Sequence, residues 1–123
     1  MIDGPGSLIG QSASPIRVEV HKGRAVSVSG RGREAAQLRS IKETVANADN
    51  IAEFGIGLNG ACRQNGRFEE EKKGRGNVHI ALGDNTFYGG SVQSPVHLDL
   101  VIYRPTVHLD DRVLVEDGTV RLS

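Results

Sequence analysis

The stretch Val96-His97-Leu98-Asp99-Leu100-Val101-Ile102-Tyr103 reads as one strand: it is dense in β-branched and large apolar residues, with no Gly or Pro inside it. Residues i and i+2 of a strand share a face, so His97 and Asp99 project together while Leu98 and Leu100 point the other way. Upstream, Val78-His79-Ile80-Ala81-Leu82 is a second strand, ended by Gly83-Asp84-Asn85. Downstream, Thr106 to Leu109, Arg112 to Val115 and Thr119 to Leu122 are short strands, the last two joined by a turn at Glu116-Asp117-Gly118. Earlier in the chain, Ile16, Val18 and Val20 alternate with Arg17, Glu19 and His21. After a turn at His21-Lys22-Gly23 the alternation resumes in Ala25-Val26-Ser27-Val28, which is a hairpin signature. Ile51 to Gly57 is a further short strand. Between them, Ala35, Leu38, Ile41, Val45 and Ala48 recur at spacings of three and four, with Glu34 in the first turn and Asn47, Asp49 and Asn50 suited to ending a helix. The pattern predicts an α+β fold: a mostly antiparallel β-sheet domain with one main amphipathic helix over about residues 33–48.

The 123 residues are the size of one domain, 1–123, with the Gly- and Pro-containing segment 1–15 as an entry loop. Fifteen Lys and Arg balance fifteen Asp and Glu, which removes any general attraction to nucleic acid or to an anionic membrane. No apolar run approaches a bilayer span and the N-terminus lacks a secretory pattern, so a cytoplasmic location is expected. The single cysteine, Cys62, allows no internal disulfide and reads as an inert thiol. The polar stretch from Leu58 to Gly76 contains Phe68-Glu69-Glu70-Glu71-Lys72-Lys73, expected as a solvated helical turn.

Four polar residues sit in otherwise apolar strand segments: Glu53, His79, His97 and Asp99. Imidazole and carboxylate together suit zinc, cobalt, manganese or iron, and His79, His97 and Asp99 alone match a two-histidine, one-carboxylate set. The bland alternative is an imidazole hydrogen-bonded to a carboxylate, with no metal. His21 and His108 read as surface residues. The loop from Gly83 to Gly90 matches neither a phosphate-binding loop nor a dinucleotide fingerprint; it permits close approach of a ligand, to which Tyr88 would offer a phenol.

The runs Asn50 to Asn59 (NIAEFGIGLN), Gly76 to Asn85 (GNVHIALGDN), Gly89-Gly90 and Pro95 to Asp99 (PVHLD) resemble the thermophilic aminopeptidase T family of metallopeptidases, in its leucyl aminopeptidase-like branch. The resemblance extends over nearly the whole chain and implies the family's C-terminal domain, here truncated and standing alone. It also implies Glu53, His79, His97 and Asp99 as ligands of divalent metal. Three departures accompany it. A further ligand Glu of that family would lie before Met1, Thr86 takes the place of the family's assisting tyrosine, with Tyr88 two residues on, and Lys72 stands where an acidic residue is usual.

Three functions follow as expectations. The first is a metal-dependent aminopeptidase-like hydrolase of a small peptide or amide, its site completed by a homodimer or a partner chain. The second is a non-catalytic peptide- or protein-binding module derived from a truncated aminopeptidase. The third is a mononuclear iron dioxygenase using His79, His97 and Asp99, ranked last because three Phe, two Tyr and no Trp give little sign of an aromatic-substrate pocket.

Overall fold

Strand pairing centres on the two most apolar runs. In the computed structural model, which describes residues 1–121, β6 (Val78–Gly83) and β7 (His97–Ile102) lie antiparallel, with Val78 opposite Ile102 and Gly83 opposite His97. β5 (Ile51–Ile56) pairs with the other side of β6. β1 (Pro5–Gly6) and β2 (Gly10–Gln11) extend the sheet beyond β7, giving the order β2-β1-β7-β6-β5. Residues 1–15, expected as an entry loop, therefore run along the sheet; Ile2 and Pro5 are fully buried, and Ile2 exchanges two backbone hydrogen bonds with Ile16. The hairpin forms as expected from β3 (Arg17–His21) and β4 (Arg24–Ser29). A separate three-stranded sheet comprises β8 (Val107–Leu109), β9 (Arg112–Glu116) and β10 (Thr119–Val120); Leu122, expected in the last strand, lies outside the described residues. The α+β architecture read from the sequence is the architecture observed.

The main helix, α1 (Arg33–Thr44), ends four residues before the expected boundary. Val45 is already extended and Asn47 takes a left-handed φ of 57°, turning the chain towards the hairpin. There Arg24 Nη1 donates to Asp49 Oδ1 at 2.9 Å and the Ala25 amide donates to the Asp49 carbonyl at 2.7 Å. These bonds satisfy groups that one more helical turn would carry away from the sheet.

The register divides the sheet into two unlike faces. Leu82, Leu98 and Leu100 pack with Ala35 and Leu38 of α1, Val28 of β4, and Ile2 and Ile16 in one buried core. Residues of opposite parity point the other way, and the pairings set Glu53 beside Ala81 and Asp99, and Gly55 beside His79 and Val101. A slip of one residue would drive Asp99 into the leucine core, so burial of the leucines fixes the direction of the polar side chains.

The opposite face is covered by the segment that contains α2 (Phe68–Glu71), which contacts β7 and β1. The expectation of a solvated charge run is corrected here: Glu71 is 1% exposed, and the Tyr103 phenol donates to its Oε1 at 2.7 Å. Burial, and then the Glu71 carboxylate, push the Tyr103 phenol far above its ordinary value, so it remains a donor. This bond ties α2 over the polar face and brings the next residue, Lys72, to within 3.6 Å of Asp99 Oδ2. No described helix is long and apolar enough to cross a membrane.

Candidate metal centre

Three of the four expected ligands converge. One ligating atom from each of Glu53, His97 and Asp99 lies within 4.8 Å of the other two. His97 Nε2 stands 3.3 Å from Glu53 Oε2 and 3.8 Å from Asp99 Oδ1. The fourth, His79, is held one layer back, its Nε2 donating to Glu53 Oε1 at 2.7 Å. This contact requires Gly55, the cross-strand neighbour of His79, because a Cβ at Gly55 would run into the imidazole.

The protonation pattern follows from the partners. His97 Nδ1 lies 2.7 Å from the Asp84 carbonyl, which can only accept, so Nδ1 carries the hydrogen and neutral His97 presents a bare Nε2 to the cluster. Burial acts against a charge on Glu53, but the hydrogen bond and charge of His79, with smaller contributions from Tyr88 and Lys72, outweigh it and hold the carboxyl below its ordinary range.

Glu53 Oε2 and Asp99 Oδ1 are buried and have no hydrogen-bond partner. Two orphaned acceptors and a bare imidazole nitrogen facing one another are unfavourable in a poorly hydrated site, and a cation among them removes the conflict. One nitrogen and two oxygens suit zinc, cobalt, manganese or iron. The residues present therefore fit a divalent ion.

A cleft of about 260 Å³ opens beside His97, lined by Asp84, Phe87, Tyr88 and His97. The Tyr88 ring centroid is 6.0 Å from that of His97, and Phe87 meets Tyr88 edge-on at 5.3 Å. Both aromatic residues belong to a short 3-10 turn, Thr86–Tyr88, and both are exposed. Desolvation, then the Glu53 charge, raise the Tyr88 phenol above its ordinary value, which keeps it protonated. Thr86 takes no part in the cluster; its amide and hydroxyl both donate to Asp84 Oδ1, at 2.8 and 2.6 Å. His21 and His108 are exposed and lie outside the cluster.

Asp84 thus holds both the turn, through its side chain, and His97, through its carbonyl. Hydrogen bonds from Thr86 and from the Ser94 amide hold its carboxyl below the ordinary value. A depressed folded value means that these bonds contribute fully above the unfolded aspartate value of about 3.9 and are lost as pH falls through the lower folded one. Acid titration is expected to leave the Thr86 and Ser94 amide NMR resonances flat down to about pH 4 and then move them together. Movement centred above pH 5 would remove the carboxylate as the anchor.

Two contributors had little or no signal in the sequence. Gly55 was visible only as a glycine inside a strand, which often marks close approach of another group. The Asp84 carbonyl had none, because a backbone acceptor has no residue-type signature.

Fold and cluster together define an α+β domain that presents a nitrogen-and-oxygen cluster fit for a metal ion on the polar face of an antiparallel sheet. A family model described as NicX: 2,5-dihydroxypyridine 5,6-dioxygenase matches residues 11–122, and the chain belongs to that family. It is 28% identical over 116 residues to a 2,5-dihydroxypyridine 5,6-dioxygenase of Pseudomonas putida KT2440, with 85% of this chain and 33% of that protein covered. A solved structure of 2,5-dihydroxypyridine dioxygenase from the same organism superposes with a TM-score of 0.83 at 23% identity, covering 100% of this chain and 39% of that one, which establishes the shared fold. The chain spans about a third of the length of the curated relative it matches.

The family assignment overturns the resemblance to aminopeptidase T and, with it, the aminopeptidase, metallopeptidase and hydrolase readings. The motifs that carried the resemblance describe how strands present ligands, and one such constellation serves unrelated chemistries. The departures were the better guide: Lys72 stands against Asp99, and Thr86 spends its hydroxyl on Asp84. The dioxygenase reading, ranked last for lack of aromatic residues, is the one the family supports. Total aromatic content misled because it ignores placement, and Phe87 and Tyr88 both line the cleft at His97.

Proposed function

We propose that this chain forms the metal-holding part of a ring-cleaving dioxygenase acting on a dihydroxylated, nitrogen-containing aromatic ring. The observation that carries the reading is the convergence of Glu53, His97 and Asp99, with buried unpartnered oxygens on Glu53 and Asp99, beside an aromatic-lined cleft. Membership of the dioxygenase family supports it. Glu53, His97 and Asp99 would hold one ferrous ion, which supplies the redox chemistry with dioxygen that ring cleavage needs. The Asp84 carbonyl fixes the His97 tautomer and His79 fixes Glu53, the orienting work that ligands of a metal require. Tyr88, kept protonated, donates a hydrogen bond to an oxygen of the bound ring, and Phe87 offers it an edge or face. Both side chains are exposed, so the reading includes a second wall for the cleft, supplied by further protein or by a partner chain.

The test is anaerobic loading with ferrous ion, followed by iron analysis and oxygen-electrode recording with 2,5-dihydroxypyridine. The expected result is about one iron per chain and oxygen uptake that matches the loss of ring absorbance. Failure to retain iron, or retained iron without oxygen uptake, overturns the assignment for this chain.

A further inference from the structure

Among the described residues, Lys72 is the one cation at the cluster that the proposed reaction leaves without a task. Its ammonium lies 3.6 Å from Asp99 Oδ2, beyond hydrogen-bond reach, and its charge also acts on Glu53. The side chain is 22% exposed, so the ammonium is neither buried in the protein nor free in solvent. Its placement is built: Lys72 caps α2, which the buried Tyr103 to Glu71 hydrogen bond fastens over the polar face of the sheet.

Formal charge gives this lysine a consequence. Glu53 and Asp99 bring two carboxylates to the cluster and Lys72 brings an ammonium. A divalent ion on Glu53, His97 and Asp99 balances the two carboxylates and leaves the Lys72 charge without a counter-charge. A ligand that arrives as an anion gains from that charge, whereas a neutral ligand does not. An ammonium carries three donors in a compact charge, and Asp99 at this distance occupies none of them by a hydrogen bond.

We propose that Lys72 is the anion-recognising residue of the centre: it weakens metal binding by its like charge and, in exchange, selects an anionic ligand over a neutral one. The inference rests on the reading of the cluster as a centre for one divalent ion, and it names the ionic form in which the ring binds. Lys72 acts through charge and hydrogen bonding on the ligand, and no proton transfer is assigned to it.

The two halves have opposite signs, which separates recognition from a merely structural role. Wild type, Lys72→Met, Lys72→Gln and Lys72→Arg are titrated with Co²⁺ by calorimetry. The Co²⁺-loaded proteins are then titrated with 4-nitrocatechol, as an anionic dihydroxylated ring, and with imidazole, as a neutral ligand, both followed by absorbance. Lys72→Met and Lys72→Gln are expected to bind Co²⁺ about tenfold more tightly and 4-nitrocatechol about tenfold more weakly, with imidazole unchanged within about twofold. Lys72→Arg keeps the charge and is expected to stay near wild type on all three.

Weakening of both metal and nitrocatechol in the neutral variants makes Lys72 a structural support and overturns the proposal, as does no change in either. Wild type that holds Co²⁺ but binds imidazole in preference to 4-nitrocatechol also overturns it while leaving the metal centre standing. Wild type that binds no Co²⁺ overturns the metal reading itself, and this inference with it.

Discussion

Replacing His97 with alanine is expected to lower ferrous affinity by more than about 100-fold. Loss of an outer partner of a metal ligand typically costs 10–100-fold, and His97 is proposed as a ligand itself, with its Nε2 turned towards Glu53 and Asp99. The same change has a small effect on the metal-free protein. His97 is partly exposed, and the substitution removes one hydrogen bond, to the Asp84 carbonyl, worth about 1 kcal/mol. In the metal-free state it also relieves the crowding of lone pairs with Glu53 Oε2 and Asp99 Oδ1. Ion at 100 times its dissociation constant stabilises wild type by about 2.7 kcal/mol, and a 100-fold loss of affinity removes most of that. Thermal melts of wild type and His97→Ala, each with ferrous ion and with chelator, should therefore nearly coincide in chelator and separate in metal. Equal separation under both conditions would make His97 a packing residue and dissolve the centre.

How much of this site could be read in advance depended on whether the geometry was local. The alternation in residues 96–103 placed His97 and Asp99 on one face because strand geometry alone decides it, and the leucines between them named the buried side. Glu53 and His79 were visible as polar residues in apolar runs. Their mutual arrangement was not, because it depends on the register of β5 against β6, which has an irregularity between Ile51 and Glu53, and on the space left by Gly55. That register sets His79 behind Glu53 and leaves Glu53, His97 and Asp99 as the converging group.

The charge run at 68–73 failed as a surface prediction for a related reason. Three consecutive glutamates look solvated in sequence, and only the packing of α2 on β7 shows that one of them meets a tyrosine from the end of the sheet. The first fifteen residues misled through their glycines and prolines, which suit a loop but also suit the close approach of β1 to β7: a Cβ at Gly4 or Gly6 would press on Val101 or Leu100. Function was harder still. A strand that displays His-x-Asp specifies where side chains point and leaves the reaction open, so the motifs supported the wrong family while one of the residues that differed, Lys72, lay against Asp99.

Gly83→Ala is expected to be the most damaging single-methyl addition near the site, costing about 3–5 kcal/mol of stability. Gly83 ends β6 opposite His97 with φ at +110°, a conformation that alanine adopts only under strain, and the added Cβ would collide with the Val96 carbonyl. The surrounding backbone has little freedom to yield. The Gly83 amide donates to the Asn50 carbonyl at 2.8 Å, its own carbonyl accepts from Asn50 Nδ2 at 2.9 Å, and the next amide, of Asp84, donates to Val96 at 2.8 Å. Any displacement that relieves the collision moves the Asp84 carbonyl, and with it the bond that fixes the His97 tautomer. Metal affinity should therefore fall about 10–100-fold even in the molecules that remain folded. Gly66→Ala is the matched control: its φ of +81° is also positive, but a Cβ there meets open space, so its cost is limited to backbone strain of about 1 kcal/mol and metal binding is unaffected. Urea denaturation in chelator reads the first effect and metal titration of the folded protein reads the second. If Gly83→Ala proves no less stable than Gly66→Ala, the clamp formed by Asn50, Gly83 and Val96 does not position the centre. If it is less stable yet binds metal normally, the Asp84 carbonyl is not what orients His97.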